Sequence, residues 1–328
     1  MSERPPRSID VARRAGVSRA TVSHILNGQG GRFSPETLQR VRRAAEDLGY
    51  VPSSAGRSLV KGRSDLVMIV FPFMTMTDLQ DIVDVLSEGL AEHGFNTIVQ
   101  LSGPVGSEAH LRLRHVADSL RPAGIIDLGG LTRKDHEEFR RLGLPVVGTA
   151  VDSRGAGSDL ALGRVQAEHL VARGFRQVAY ASLTDERGHP FDQGRAEATR
   201  AVCAENGLPE PYLFGVPLDA DGATNALAAM LKSIPAPVGI ACFNDDVALA
   251  VLHATRTLGL DVPCTIGVLG MGKGPLGQLA EPRLSTVWGD MRPMLVALLD
   301  ALLMEFGGAD RITEVDFASL RVEQGETT

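Results

Sequence analysis

The chain is poor in the residues from which most chemistry is built. Three cysteines in 328 residues, Cys203, Cys242 and Cys264, lie far apart and form no CxxC pair, which excludes a disulfide framework and a cysteine zinc knuckle. Eight histidines are scattered without an HExxH, so no metal site is expected. There is no GxSxG elbow, no dinucleotide-binding fingerprint and no carboxylate pair tied to a motif. The glycine-rich stretch Gly270, Gly272, Gly274, Gly277 misses the GxxxxGK[ST] phosphate loop, because Pro275 follows Gly274. Neither a cofactor nor an enzymatic activity is therefore expected. No run of about 18 apolar residues occurs, so no membrane span is expected. The opening residues, Met1-Ser2-Glu3-Arg4-Pro5-Pro6-Arg7, lack the apolar core of a secretory signal, and a cytoplasmic protein is expected.

A basic excess is also missing, since the net charge is −7. Its distribution is uneven. Residues 1–64 hold 12 Lys and Arg against 5 acids, a surplus of +7, which leaves −14 on the remainder. A basic head on an acidic body is the footprint of a polyanion-binding module joined to something else.

The head reads as three short helices. Ser8 is expected to cap the first, with Ile9, Val11, Ala12 and Ala15 as its apolar positions and Asp10 in its first turn. Ala15-Gly16-Val17-Ser18 then turns the chain, and Ser18 caps a second helix, Arg19–Leu26, in which Val22, Ile25 and Leu26 share a face. Asn27-Gly28 closes it. Ser34-Pro35-Glu36 opens a third helix, with Leu38, Val41, Ala45 and Leu48 as its buried stripe and Gly49 as its stop. Two short helices across a glycine turn form a helix-turn-helix. The second helix of such a unit enters the major groove, and its first residues meet base edges. Those are Arg19, Ala20, Ser23 and His24. Arg19 can pair bidentately with guanine, Ala20 can touch a thymine methyl, and His24 can donate or accept. Ser18, Thr21, Ser34 and the helix N-termini would hold phosphates. Ser8 and Asn27, at helix ends, complete the candidate DNA contacts of the head.

Ile9-Asp10-Val11-Ala12, Ala15-Gly16-Val17-Ser18, Thr21-Val22-Ser23, Ile25-Leu26-Asn27-Gly28, Ser34-Pro35-Glu36-Thr37 and Leu48-Gly49-Tyr50-Val51-Pro52 follow one another as in the head of the lac repressor (LacI/GalR) family, which this chain resembles over residues 8–64. The resemblance implies a transcriptional repressor that binds a pseudo-palindromic operator as a homodimer on the bacterial nucleoid. It also implies that residues 53–64 form a hinge that becomes helical on DNA. There Leu59 would wedge into a central base step, and Arg57 would serve a phosphate or the minor groove. Ser53 and Gly56 depart from the family's usual Asn and Ala at this hinge.

From Asp65 the pattern changes to alternating strands and helices, the mark of a parallel sheet covered on both faces. Candidate strands are Leu66–Phe71, Thr97–Leu101, Gly124–Leu128, Val146–Thr149, Val178–Ala181, Gly239–Phe243 and Ile266–Leu269. Helices are expected near 79–92, 107–120, 134–142, 161–173, 193–206, 222–232 and 245–258. Glu92-His93-Gly94-Phe95 and Ala172-Arg173-Gly174-Phe175 echo one another, which suggests two similar lobes. The fold class is thus an all-α helix-turn-helix head (1–52), a hinge (53–64) and an α/β two-lobed core (65–328). The core has lobes near 65–151 and 152–280. Residues 281–328 cross back, with a helix at Met291–Phe306 and a strand near Ile312–Phe317. The resemblance makes this core periplasmic-binding-protein-like, with an effector cleft between the lobes.

Looser family-like strings continue into the core: Ser158-Asp159 with Gly163, Gly174-Phe175-Arg176, Cys242–Leu249 and Leu284-Ser285-Thr286-Val287. Sugar-binding relatives grip their effector at three positions that fall here on Phe191, Asn244 and Gly272. Two of the three polar anchors are therefore absent, which disfavours a sugar. Asp185, Arg187, Asn244, Asp245 and Lys273 remain candidates for a different small-molecule effector, and Lys273 would suit an anion. Asn244 and Asp245 can equally be local strand-end caps.

Three functions share this layout: a regulator with a small-molecule effector, a regulator controlled by a protein or by nothing, and a transport or chemoreception binding protein. The head and the missing export signal oppose the last. Gly56 costs the hinge helix about 1 kcal/mol relative to alanine. Gly56→Ala is accordingly expected to tighten binding to the specific DNA site in an equilibrium titration, and an unchanged affinity would mean that the hinge stays unfolded on DNA.

Overall fold

The computed structural model describes residues 6–26, 30–50, 64–72, 79–103, 106–148, 153–184, 189–307 and 320–328. They fall into two compact units: the chain up to Asp65 together with Leu120–Ala123, and the remainder, Leu66–Ser119 with Gly124–Thr328.

The first unit carries α1 (Ser8–Ala15), α2 (Arg19–Leu26), a 3-10 turn (Gly30–Arg32) and α3 (Pro35–Asp47). Its core is small, with Val11, Ala12, Ala15, Val22, Ile25, Val41, Ala44 and Ala45 buried and Val17, Leu26, Phe33, Leu38, Leu48 and Tyr50 packed around them. Gly16 ends α1 at φ +66, and no atom lies within 4 Å of where a Cβ would stand, so the turn needs glycine for its backbone angle rather than for space. One expectation is corrected. Ser8 does not cap α1; it is the first helical residue, and Arg7 stands at the N-cap. The carboxylate of Asp10 accepts the Arg7 N–H at 2.9 Å, so an acid three residues on does the satisfying that a serine hydroxyl was expected to do.

The second unit contains two sheets. Four strands, β1 (Leu66–Phe71), β2 (Asn96–Leu101), β3 (Gly124–Asp127) and β4 (Val146–Gly148), lie in the order β2-β1-β3-β4, all parallel. Six strands, β5 (Gln177–Leu183), β6 (Tyr212–Val216), β7 (Val238–Cys242), β8 (Ile266–Met271), β9 (Ser285–Trp288) and β10 (Arg321–Glu323), lie in the order β10-β9-β8-β7-β5-β6. Only β10 runs antiparallel to its neighbour. Connecting helices are α4 (Leu79–Glu92), α5 (Glu108–Leu120) and α6 (Arg133–Arg141) in the first lobe. In the second they are α7 (Ser153–Ala172), α8 (His189–Glu205), α9 (Ala220–Ser233), α10 (Asp245–Thr257) and the short α11 (Pro275–Leu279). β3, β7 and β8 are buried at every residue, because helices cover both sheet faces.

The echoed glycines, Gly94 and Gly174, both take positive φ at helix ends. The phenylalanines that follow them anchor the two lobes separately. Phe95 packs on Phe306 with ring centroids 5.1 Å apart, and Phe175 lies under the second sheet against Gly239 and Gly267. α12 (Arg292–Glu305) belongs to the first lobe, although β9 before it and β10 after it belong to the second. Its Leu295, Leu298, Leu299, Leu302 and Leu303 are buried with Leu86, Leu90 and Ile126.

β6, β9 and β10 were not among the expected strands. They are short and lie toward the sheet edges; β9 and β10 mix in polar residues, and the apolar β6 is interrupted by Gly215. α7 begins at Ser153 rather than near 161, because Gly155, Gly157 and Gly163 read as loop while the helix runs through them. The strand expected near Ile312–Phe317 lies outside the described residues. No helix among the described residues is long and apolar enough to cross a membrane.

Candidate DNA-reading face and interlobe cavity

α2 is held from inside and from its N-terminus. Val22 and Ile25 are buried in the head's core. The Ser18 hydroxyl oxygen accepts the Thr21 N–H at 3.1 Å and lies 2.9 Å from the Thr21 hydroxyl. The same pair recurs at α3, where Ser34 accepts the Thr37 N–H at 3.3 Å with Pro35 at the first helical position. With the buried stripe facing inward, Arg19 and Ala20 are exposed at the first turn of α2, and Ser23 and His24 follow one turn later, half-buried. Phe33 stands beside them: its ring centroid is 6.5 Å from that of His24, and the Arg32 guanidinium lies 5.3 Å above it. An ion pair of 3.3 Å between Arg14 and Asp47 ties α1 to α3. Exposed Arg13, Arg32, Arg40, Arg42 and Arg43 put the head's surplus charge on its surface. Asn27, Arg57 and Leu59 lie outside the described residues.

Between the lobes of the second unit is a cavity of about 750 Å³. The first lobe contributes Asp81, Asp84 and Glu88 from α4. The second contributes Arg195, Lys273, Trp288 and Arg321. Lys273 is held there by its own neighbours. Its ammonium is 3.1 Å from Glu323 and 4.2 Å from the centre of the Trp288 ring, and Arg321 approaches the same ring at 4.1 Å. The Lys273 ammonium holds the Glu323 carboxyl below its ordinary range. Arg195 donates from Nε to Asp159 at 3.0 Å and from Nη1 to the Phe243 carbonyl at 2.7 Å, with its guanidinium 4.6 Å above the Phe243 ring. Burial outweighs the arginine's attraction and pushes Asp159 up to about 6. Arg195 and Trp288 carried no motif in the sequence; Trp288 is the chain's single tryptophan, and that was its one available signal.

Of the expected effector residues, Asp185 and Arg187 lie outside the described residues. Lys273 lines the cavity; Phe191, Asn244 and Asp245 do not. Asn244 caps α10, its side-chain oxygen accepting the Val247 N–H at 2.9 Å. Asp245 is buried and accepts from the Thr286 hydroxyl at 2.7 Å and from the Gly274 N–H at 2.6 Å. Burial raises its pKa. Against the expectation of no dinucleotide-binding fingerprint, Gly272, Gly274 and Gly277 do stand at the GxGxxG spacing, but the Gly274 N–H is committed to the Asp245 carboxylate rather than open to a phosphate.

The comparisons agree with this layout. Residues 9–53 match the family model of bacterial regulatory proteins of the lacI family, and residues 167–328 match a periplasmic binding protein-like domain. The transcriptional regulator GntR of Pseudomonas aeruginosa is 31% identical over 290 residues, 85% of this chain and 82% of that one. MalR of Streptomyces coelicolor is 30% identical over 321 residues, covering 92% and 90%. Among solved structures, a lac repressor dimer bound to operator and an anti-inducer superposes with a TM-score of 0.82 at 22% identity over 99% of both chains, a likeness of fold.

The cap at Ser18 yields a check on the head. Replacing an N-cap serine by alanine costs about 1 kcal/mol. Ser18→Ala is expected to speed amide exchange in α2 of the full chain correspondingly, leaving the sheets unchanged. Unaltered protection would mean that packing of Val22 and Ile25 alone holds the helix.

Proposed function

Because the chain belongs to the lacI family of bacterial regulatory proteins, it is a DNA-binding transcriptional regulator and not an enzyme, and we propose that it acts in the cytoplasm as a dimeric repressor of a pseudo-palindromic operator. The observation that carries this reading is the outward face of α2. Arg19 and Ala20 are exposed beside Ser23 and His24, opposite the buried Val22 and Ile25, in a chain whose first 64 residues carry seven surplus positive charges. In this reading residues 1–52 are the DNA-binding domain, 53–64 the hinge with Arg57 and Leu59 in the minor groove, and 65–328 the sensing and dimerising core. Arg19 reads a guanine, Ala20 a thymine methyl, and the Ser18, Thr21 and Ser34 hydroxyls and helix N-termini hold phosphates.

Exposed apolar residues on the core support a second copy as its partner. Leu276 and Leu279 stand out on α11, at 64% and 78% exposure. A shallow groove of about 400 Å³ lined by Leu218, Ala220, Leu249, Ala250 and His253 offers a complementary surface. The edge strand β2 exposes Val99 and Leu101 in the other lobe.

The cleft takes a non-sugar effector, or none. Of the three positions at which sugar-binding relatives grip their effector, Phe191 is apolar, Gly272 has no side chain, and the Asn244 oxygen is engaged with Val247, which supports this reading.

Selection of bound duplexes from a random DNA pool tests the reading. It is expected to enrich a two-fold symmetric motif with a flexible central step; a folded dimeric protein that enriches nothing would overturn it. Arg19→Ala is expected to cost about 1–3 kcal/mol and relax base preference at one symmetric pair of positions. Uniform weakening on every sequence would instead make Arg19 a phosphate contact.

A further inference from the structure

One contact joins the two lobes through an aromatic ring. Phe191, in the first turn of α8, packs partly on the second lobe's core. Its ring also stands directly over Gly129, at the cleft end of β3 in the first lobe: a Cβ on Gly129 would lie 2.7 Å from the ring edge. Gly129 has φ +100, so both its conformation and the ring above it demand glycine.

Each side of this contact is rigidly mounted. Asp127 is fully buried at the end of β3. Its Oδ1 accepts the N–H groups of Gly129, Gly130 and Leu131 at 3.1, 2.8 and 3.1 Å, and its Oδ2 is bonded to Nε2 of His136 at 2.7 Å. The carboxylate thus clamps three successive backbone amides and fixes the loop that presents Gly129. On the other side, Asp192, the residue after Phe191, accepts from the Tyr180 hydroxyl at 2.9 Å, which staples the start of α8 to β5. One turn on, Arg195 is bonded to Asp159 and to the Phe243 carbonyl. A contact between two stiff mounts transmits displacement, whereas a contact between loose loops absorbs it.

We propose that Phe191 is a built-in latch that holds the lobes together across Gly129 without a bridging small molecule. In a two-lobed protein a ligand closes the cleft by touching both sides at once. The Phe191 ring touches both sides as part of the chain. The spacing of the lobes is therefore set within the chain, and an effector that widened it would have to dislodge the ring. The regulatory consequence rests on the reading of the protein as a repressor whose lobe spacing governs DNA affinity; the latch itself does not.

The test is an interlobe distance measured by pulsed electron spin resonance on the full chain without DNA. Spin labels are attached through Glu137→Cys on α6 and Glu197→Cys on α8, both exposed positions, in a Cys264→Ser background. Labelled chain is diluted into excess unlabelled chain so that each measured pair lies in one protomer. The unaltered latch is expected to give a single narrow distribution. Phe191→Ala is expected to lengthen the mean distance and broaden it, and Phe191→Leu, which keeps part of the contact and guards against a folding defect, to fall between. Distributions in both variants that match the unaltered latch would overturn the proposal. Since no DNA is present, failure of the repressor reading would leave this outcome untouched.

Discussion

The burial of α12 in the first lobe is the constraint on which the core depends. The strands that flank this helix in sequence, β9 and β10, are bonded into the second lobe's sheet, yet Leu295, Leu298, Leu299, Leu302 and Leu303 fill the core of the first. The tail must therefore leave one lobe, complete the hydrophobic core of the other, and return. Each fully buried leucine contributes roughly 1.5–3 kcal/mol of transfer free energy. Neither lobe is independent under that arrangement. The first lacks one face of its core without α12, and the second lacks its edge strand β10 unless the tail comes back. A change in lobe spacing is then a movement of lobes joined by a shared chain rather than a separation of independent domains.

Much of this was legible in the sequence because local signals and burial agreed. Ser18 and Ser34-Pro35 mark helix starts with hydroxyl caps that the structure contains, and the alternation after Asp65 located seven strands within a residue or two at most ends. Legibility failed where a signal was weak or non-local. Ser8 looked like a cap because the competing cap, the Asp10 carboxylate reaching back to the Arg7 amide, uses a residue that also reads as first-turn charge. β6 alternates burial, β9 and β10 are short and mix in polar residues, and none of the three has a run of branched residues. The Arg195–Asp159 pair, 36 residues apart, and the Lys273–Trp288–Arg321 stack depend on tertiary folding and have no periodicity to betray them. Asn244 and Asp245 had two readings, and the hydrogen bonds to Val247, Thr286 and Gly274 show how their side-chain oxygens are used within the fold.

The electrostatics of the cavity follow from the same accounting. Its basic groups have partners within their own lobe: Lys273 with Glu323, Arg195 with Asp159. Pairing offsets part of the cost of burying these charges, whereas an isolated buried charge is more expensive; at Asp159 the burial still outweighs the pairing. On the second lobe's side, the cavity wall thus includes two basic groups that are already paired.

The division of labour within α2 bears on how such a protein changes over generations. Burial in this helix falls on Val22 and Ile25, and capping falls on Ser18. Arg19 and Ala20 are exposed and serve neither purpose, and exposed substitutions away from caps and cores typically alter stability by no more than about 0.5 kcal/mol. On the proposed reading of α2, a copy can after a gene duplication explore new recognition sequences at these two positions while its fold remains under unchanged selection. Divergence of targets and conservation of architecture are separable traits in this head, written into different faces of a helix eight residues long.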